Sequence, residues 1–521
     1  MTLQTLAPVF TLQQPLGPIA VSDDDDPRAL QQIYDTRCEL HLRSAVNPPT
    51  FIVGRRGSGK TSLLLSRGFD PANLTVRLSA DRIYSLVQAM LARFETQVSM
   101  PVEAVADLWE LLLWVPIAAA LARSPDRRDP PAQAQILWEE TAPLRTLPDR
   151  RDEADVGIET AALMLIDHLD GLDRVLSAAR VLDGFVLAER PWRVVVRAAT
   201  EVLQARALPA FVLIDSLENI GPHIDRLQAT LQGLCHLVGR LGSPSRARPI
   251  TVQCCFPSEL WSRLDDISSN PVKDLAGRLV LQWRWQDLLR ATGMRLRSFL
   301  EVHYPTIDAL DSDDPVTLLG RLFPPSVVNR SGIEEPTYAY LLRHTQLLPR
   351  QIFHIINSAL AQALIETGTP RVAGHHLVAA VAEVEAALCP EVFSAHSYRY
   401  PLAHQVARQL IPFLPFRFDD AELHRMCNLT GISKHFRLDY REVREMFATI
   451  GIIGRCVHET QAYVTAEFAY SVEGQLVLSP DECYALHPLF VRQYRSADLV
   501  RRRAGGGPAP KPVYPVGVPV A

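Results

Sequence analysis

The sequence predicts an α/β fold in which a parallel sheet carries a large helical insertion and is followed by an all-helical module and a winged helix. Five short apolar runs alternate with helical patterns in the first 285 residues, which is typical of a parallel sheet covered on both faces. A glycine-rich loop separates the first of these runs from a helix. Near the C-terminus, three helical segments precede three β-rich runs, which is the order of elements in a winged helix.

Length and composition limit the class of protein. The 521 residues suffice for about three domains, and 47% hydrophobic with 21% charged residues excludes wholesale disorder. A net charge of −5 gives no overall cationic field for nucleic acid or anionic lipid. The eight cysteines form no C-x-x-C pair, which indicates reduced thiols in a cytoplasmic protein. The longest apolar stretch, residues 111–121, is shorter than the ~20 residues of a membrane helix, so we expect neither a membrane span nor an export signal.

The strands and domains follow in chain order. Strands are predicted at 50–53, 74–78, 211–214, 250–255 and 279–283, and the 132 residues between the second and third exceed a simple crossover. A helix is expected at about 27–45, and the clearest later helices lie at 287–300 and 349–365. The winged helix should place strands at 452–457, 463–470 and 475–478. The predicted domains are a flexible arm (1–26), a sheet domain (27–285, with its helical insertion at about 80–205), a helical lid (286–390), a winged helix (391–495) and a disordered tail (496–521).

The strongest motif is the sequence Gly-Arg-Arg-Gly-Ser-Gly-Lys-Thr at 54–61, which matches the complete P-loop pattern between a strand and a helix. Its glycines allow a nest of N–H groups that binds a β-phosphate. Lys60 should reach the β- and γ-phosphates, and Thr61 should ligate Mg²⁺. Lys60 is one of only four lysines beside 49 arginines, which indicates that a guanidinium would not serve there. The predicted ATP-binding residues are Gly54, Gly57, Ser58, Gly59, Lys60, Thr61 and Ser62.

A P-loop site also needs an acidic residue at a neighbouring strand end to complete the Mg²⁺ shell. Asp215 follows four apolar residues that are entered through Pro209, whereas Asp167 lies in a run with leucines at helical spacing. The pattern favours Asp215 as the second metal ligand. Asp167 is interpreted as part of a solvated helix face.

Two further polar residues follow the acidic strand and the fourth strand. Glu218, three residues after Asp215, is a candidate for orienting the attacking water, with a role at a helix start as the alternative. Ser258 is a weaker candidate for sensing a γ-phosphate, and we interpret it instead as the cap of the helix that follows.

The motifs together resemble P-loop ATPases of the AAA+ and STAND types, especially bacterial ATP-binding proteins akin to origin-recognition initiators. The resemblance rests on the P-loop, the strands that end at Asp215 and Cys255, and the segments at 283–289 and 348–351. It implies an ASCE-type sheet and a lid-helix arginine, here Arg350, that contacts the γ-phosphate. It also implies a cation supplied by a neighbouring subunit in a homo-oligomer. The candidates for that cation are Arg263, Lys273 and Arg278.

Three features of the sequence bear on the expected rate of ATP hydrolysis and on the expected partner. Two are departures from the family pattern, and the third is the charge of the winged helix. Asp215 is followed by Ser216 rather than by an acidic residue, and the insertion is unusually large, so slow hydrolysis is expected. The third helix of the winged helix, 439–447, carries a net charge of −1, which favours protein contact over DNA contact.

The sequence therefore predicts a cytoplasmic ATP- and Mg²⁺-dependent ATPase that switches conformation. It is either a STAND-like signalling protein, for example in phage defence, or a DNA-associated ATPase of the initiator or transposition type. A protein that holds nucleotide only as a structural element is the third alternative. His375, His376 and His487 are interpreted as structural residues rather than metal ligands.

Overall fold

The structure is a computed structural model of the chain. It describes residues 9–19, 50–67, 73–95, 100–145, 153–172, 177–215, 227–241, 249–261, 266–268, 270–275, 277–311, 314–472, 474–498 and 511–520. The chain divides into two compact units, Arg37–Leu281 and Met1–Thr36 with Gln282–Ala521. We call them the sheet unit and the helical unit. The helix expected at 27–45 lies outside the described residues.

The sheet unit contains the predicted parallel five-stranded sheet. Its strands are Phe51–Gly54 (β1), Leu74–Ser79 (β2), Ala210–Asp215 (β3), Ile250–Pro257 (β4) and Arg278–Leu281 (β5). They lie in the order β2-β3-β4-β1-β5 and all pair in parallel. Strand β4 therefore lies between the P-loop strand β1 and the Asp215 strand β3. A strand inserted at this place defines the ASCE-type sheet that was expected from the sequence. All four residues of β1 are buried, which explains why they read as an unbroken apolar run.

The helical insertion between β2 and β3 is also present. Its helices are Ala80–Glu95, Val102–Arg123, Pro131–Glu140, Ala142–Arg145, Glu153–Asp170, Ala178–Gly184 and Trp192–Arg206. Helices Gln228–Leu241 and Pro271–Asp274 follow on either side of β4. Gly233 allows a close helix contact, because a Cβ there would lie 2.4 Å from Cγ1 of Val105.

One helix of the insertion is longer and more apolar than the sequence analysis allowed. Val102–Arg123 has the length and composition of a membrane span, but 83% of its most apolar window is buried inside the protein. Its Trp109 donates a hydrogen bond from Nε1 to the carbonyl of Thr230 at 2.9 Å. Helix–helix packing therefore accounts for its apolar composition.

The helical unit begins, after β5, with helices and a short hairpin. The helices are Trp285–His303, Pro315–Leu322, Thr337–Arg343, Pro349–Thr367, Gly374–His396 and Ala403–Leu410, and the hairpin strands are Ser326–Val328 (β6) and Glu334–Pro336 (β7). The helix Gly374–His396 crosses the predicted boundary between lid and winged helix at residue 390 without a break, with Pro390 inside it. The two predicted domains share one hydrophobic core.

The winged helix follows as helices Asp420–Leu429, Ile432–Phe436 and Tyr440–Ile450. Its strands are Arg417–Asp419 (β8), Ile453–Glu459 (β9), Val464–Glu467 (β10) and Cys483–Leu486 (β11), and a further helix spans Pro488–Gln493. The strand expected at 475–478 is wrong, because Cys483–Leu486 takes the place between β8 and β9. Leu476 and Leu478 are buried without belonging to a strand, which explains the misleading apolar pattern.

Parts of both termini that were expected to be flexible are ordered against the helical unit. Residues 513–515 form strand β12, which pairs in parallel with β10. At the other end, Phe10 and Leu16 are fully buried. Asn357 accepts a hydrogen bond from the N–H of Leu16 at 2.6 Å, and Arg295 donates one to the Leu16 carbonyl at 3.0 Å. Buried polar side chains thus form hydrogen bonds with the main-chain N–H and C=O groups of a segment whose own sequence shows no regular pattern.

Candidate functional site: a P-loop beside an acidic strand end

The loop after β1 adopts a conformation that requires its glycines. Gly57 and Gly59 have φ angles of 82° and 89°, in the left-handed region that favours glycine. At Gly54, a Cβ atom would lie 2.4 Å from Oγ of Ser58, so the loop could not close in this way with a larger residue. The N–H of Ser58 donates to the carbonyl of Arg55 at 3.0 Å, which tightens the turn.

Lys60 is the first residue of the helix Lys60–Arg67 and is 3% exposed. Its Nζ donates a hydrogen bond to the Arg55 carbonyl at 3.2 Å, so the ammonium group lies over the loop. The N–H groups of the first helical turn add the positive end of the helix dipole. The loop thus combines main-chain donors and one cation in the arrangement that binds phosphate.

Thr61 and Asp215 come together beside the loop. Oγ1 of Thr61 donates a hydrogen bond to Oδ1 of Asp215 at 3.2 Å, and Asp215 is 5% exposed. A hydroxyl and a carboxylate oxygen at this separation form a donor set that suits Mg²⁺, a hard cation that prefers oxygen ligands. The residues present therefore fit the metal that the P-loop implies.

Two residues beside this site were not predicted as site residues from the sequence. The first is Arg77. On β2, its guanidinium lies 3.8 Å from Oδ2 of Asp215, because β2 and β3 pair with Ser79 opposite Asp215. This single charged residue in an otherwise uncharged strand was the available signal. Arg77 thus places a positive charge next to the carboxylate that would ligate the metal.

The second missed residue is Glu259. The N–H of Arg56 donates to Oε1 of Glu259 at 3.1 Å, and the Ser258 hydroxyl donates to Oε2 at 3.3 Å. Glu259 reaches the loop because Gly54 pairs with Pro257 at the ends of β1 and β4. The capping role expected for Ser258 is wrong. The short 3-10 helix Ser258–Leu260 has Pro257 at its N-cap position, and no side chain caps it.

Other predicted residues are not brought to the loop by the described structure. Glu218, Ser216 and Arg263 lie outside the described residues, as does the side chain of Lys273. Arg278 is exposed, with its guanidinium 5.8 Å from the centre of the Trp261 ring.

Asp167 and Arg350 each lie on a helix. Asp167 lies in the helix Glu153–Asp170, as the alternative interpretation of its segment requires. Arg350 belongs to the helical unit, where it opens the helix Pro349–Thr367. There its Nη1 makes a 2.7 Å ion pair with Glu391.

The histidine pair at 375–376 meets a carboxylate that the sequence analysis did not find. Glu366 lies 2.7 Å from Nε2 of His376 and 3.1 Å from Nε2 of His375. However, Nδ1 of His376 accepts a hydrogen bond from the N–H of Ala373 at 3.0 Å. A neutral imidazole that accepts at Nδ1 carries its proton on Nε2, which then donates to Glu366 instead of ligating a metal. The geometry fits a helix cap.

The strand order of the sheet and the conformation of the loop together define a P-loop α/β protein with an ASCE-type sheet. No protein-family model and no curated protein matches the chain. Among solved structures, the Aeropyrum pernix ORC2 protein in ADPNP–ADP complexes is similar at 10% identity, covering 92% of this chain and 94% of that chain with a TM-score of 0.38. The Aeropyrum pernix ORC1 protein in complex with DNA is 15% identical, covering 96% and 98%, with a TM-score of 0.33. Similarity at this level carries no argument about function, which is inferred below from geometry alone.

Proposed function

We propose that the chain is an ATP-binding protein that hydrolyses ATP slowly in the presence of Mg²⁺ and uses the nucleotide as a conformational switch. The observation that carries the proposal is the complete P-loop with Lys60 above it and the Thr61–Asp215 pair beside it. A glycine-rich turn without this function would need neither a buried lysine nor a buried carboxylate next to the loop.

Each residue has a definable part in this function. The N–H groups after Gly57 would hold the β-phosphate, and Lys60 would contact the β- and γ-phosphate oxygens. Thr61 and Asp215 would hold Mg²⁺, which when bound neutralises charge on the phosphates. Arg77, 3.8 Å from Asp215, would orient that carboxylate.

The residues that would speed hydrolysis remain proposals. Glu218 would orient the attacking water, and Glu259, already hydrogen-bonded to the loop, is a second carboxylate of suitable chemistry. Arg350 would act as the γ-phosphate sensor only if its ion pair with Glu391 opens. Binding of ATP and loss of the γ-phosphate would then shift the equilibrium between two states of the protein.

The direct test is the release of phosphate from ATP by the purified chain with and without Mg²⁺, combined with calorimetric titration of ATP and ADP. We expect binding of both nucleotides and slow turnover that requires Mg²⁺. Binding without turnover would identify a structural nucleotide and overturn the ATPase assignment. No binding at millimolar ATP would overturn the proposal as a whole.

A second part of the proposed function is the contact that the winged helix makes with a partner, either protein or DNA. On its third helix, Arg444 makes an ion pair with Asp420, and Glu445 pairs with Arg399. Of the two arginines on this helix, Arg444 is therefore already neutralised, which supports a protein partner over DNA for this helix. DNA, which one of the similar proteins binds, is still the first partner to test.

Retention on a DNA column at two salt concentrations gives that test. Binding that falls steeply with salt would support the initiator or transposition alternative. Passage of the chain at low salt would support a switch that acts on protein partners, as signalling or defence requires.

A further inference from the structure

The helical unit contains a cavity of about 450 Å³ that has no part in the proposed nucleotide site. Small-molecule sites have volumes of roughly 300–1,000 Å³, so this volume is sufficient for a ligand. Its wall is formed by the β6–β7 turn, two helices of the lid, the last helix of the winged helix and the segment that enters β12. We call it the basic cavity, after its charged lining residues Arg330, Arg343, His344, Glu385, Arg492 and Lys511.

One part of the basic cavity is apolar. Val378 and Val381 lie on the helix Gly374–His396, Phe416 precedes β8, Val491 lies on the last helix and Val513 begins β12. These side chains come from separate stretches of the chain and together form an apolar surface. Such a surface suits the hydrocarbon or aromatic body of a ligand.

The charged part contains four cations but only one carboxylate. Arg343 is neutralised by Glu335, to which it donates two hydrogen bonds of 2.6 and 2.7 Å. Lys511 is neutralised by Glu459 at 2.8 Å. The guanidinium groups of Arg330 and Arg492 remain.

Neither of these two arginines has a close carboxylate of its own. Arg492 lies 3.9 Å from Oε2 of Glu385. Arg330 is exposed and makes no ion pair within the part of the chain that the structure describes. Both are therefore available to an anion.

Glu385 does not cancel this charge. Its Oε1 lies 2.6 Å from Nδ1 of His344. Burial raises the pKa of Glu385 to about 8 and lowers the pKa of His344, so the pair is neutral at pH 7. The protonated carboxyl group then donates to Nδ1, which leaves the proton of the imidazole on Nε2. That nitrogen is buried and has no hydrogen-bond partner among the described residues, so an acceptor atom of a ligand would satisfy it.

We propose that the basic cavity binds a small organic anion, with an apolar body against Val378, Val381 and Phe416 and a carboxylate or phosphate group at Arg330 and Arg492. Planar guanidinium groups match the geometry of both anionic groups. The site is independent of the P-loop and does not require that the proposed ATPase function be correct.

The test uses 2-naphthoate as the probe and the uncharged 2-naphthamide as its isosteric control, each titrated calorimetrically into the full chain. We expect one site for 2-naphthoate and at least tenfold weaker binding of 2-naphthamide. The double variant R330Q/R492Q should weaken 2-naphthoate binding at least tenfold. Arg371, an exposed arginine of the same unit outside the cavity, provides the matched control R371Q, which should bind like the original chain.

A second variant tests the apolar wall without changing any charge. Val378→Phe fills part of the cavity and should reduce 2-naphthoate affinity, while circular dichroism shows that the chain is folded. Equal affinity for the two probes, an affinity that neither variant alters, or no heat of binding at 1 mM 2-naphthoate would each overturn the proposal.

Discussion

The P-loop and the basic cavity present positive charge to a ligand by different means. At the P-loop, the charge comes from main-chain N–H groups in a turn that Gly57 and Gly59 permit, and from the single ammonium of Lys60. In the basic cavity, it comes from side chains on separate elements, and two of the four cations are neutralised by carboxylates. At the P-loop, eight consecutive residues supply the positive charge, whereas the cations of the basic cavity come together only when the helical unit has folded.

This difference determines how each site should respond to mutation. A change in the P-loop should remove ligand binding and leave the rest of the sheet unit intact, because the loop contributes little buried apolar area. A change at the Arg343–Glu335 pair of the basic cavity should instead reduce the stability of the helical unit, because that pair is buried.

Glu335→Ala should have the largest effect. It leaves Arg343 buried without its carboxylate and removes the acceptor of the Tyr514 hydroxyl, which donates to Glu335 at 2.6 Å. Breaking a buried pair on one side costs about 3–5 kcal/mol. Urea unfolding followed by circular dichroism should show this loss in the free energy of unfolding.

The matched control is Glu422→Ala, which breaks the exposed pair with Arg425 on one helix. Exposed pairs contribute about 0–1 kcal/mol, so the stability of this variant should hardly change. Equal losses for the two variants would contradict the contrast between buried and exposed charge.

Asp215→Asn should act on the ligand rather than on the fold. It removes the carboxylate charge beside Thr61, so Mg²⁺ should no longer strengthen ATP binding, with a loss of at least tenfold, or about 1.4 kcal/mol. Asp167→Asn, on the helix Glu153–Asp170, should change stability by less than about 0.5 kcal/mol. Calorimetric ATP titrations with and without Mg²⁺ measure the first effect, and the reverse pattern in the two variants would refute the metal site.

Stability should fall as pH rises from 6 to 9, because Glu385 must ionise inside the helical unit. Its pKa is raised by burial to about 8, so the folded state holds a proton that the unfolded chain releases above its ordinary pKa. This contribution is complete below that ordinary value and is lost as pH passes about 8. Its charged or titratable neighbours among the described residues include His344, Arg343, Arg492, Arg330, Tyr340 and Cys389.

Glu385→Gln removes this titration and should flatten the pH dependence of the free energy of unfolding between pH 6 and pH 9 by about 2–3 kcal/mol, or several degrees in Tm. Thermal unfolding of the original chain and the variant at pH 6 and pH 9 provides the comparison. The same slope in both proteins would show that Glu385 is already ionised in the folded state.

The smallest effect is expected at Arg278, which is exposed on β5. If a neighbouring subunit uses it as a trans cation, Arg278→Ala should lower ATP turnover several-fold and leave ATP binding unchanged. Specific activity of the original chain should then rise with protein concentration. Activity that is independent of concentration in both proteins would indicate a self-contained site.

The sequence predicted the parts of the molecule that depend on local pattern. The five strands, the P-loop and the helical segment of Asp167 follow from apolar runs, glycine spacing and helical periodicity. Asp215 could be chosen because a proline and four apolar residues precede it. Glu259 could not be found in this way, because only the pairing of β1 with β4 brings it to the loop.

The termini and the basic cavity depended on distant residues instead. The segment at 9–19 contains no periodic pattern, and its order comes from buried side chains such as Arg295 and Asn357, hundreds of positions away. Strand β12 is three residues long and needs the edge of β10. His344 and Glu385 meet through helix packing, which no spacing rule in the sequence reports.

Calorimetric titration of ATP with Mg²⁺ into Lys60→Ala shows whether the P-loop binds ATP through Lys60. Lys434→Ala, which removes an exposed lysine of the winged helix, serves as the control for a lost ammonium group. The account predicts at least a tenfold loss of affinity in the first variant, about 1.4 kcal/mol or more, and none in the second. Unchanged ATP affinity in a folded Lys60→Ala protein would contradict it.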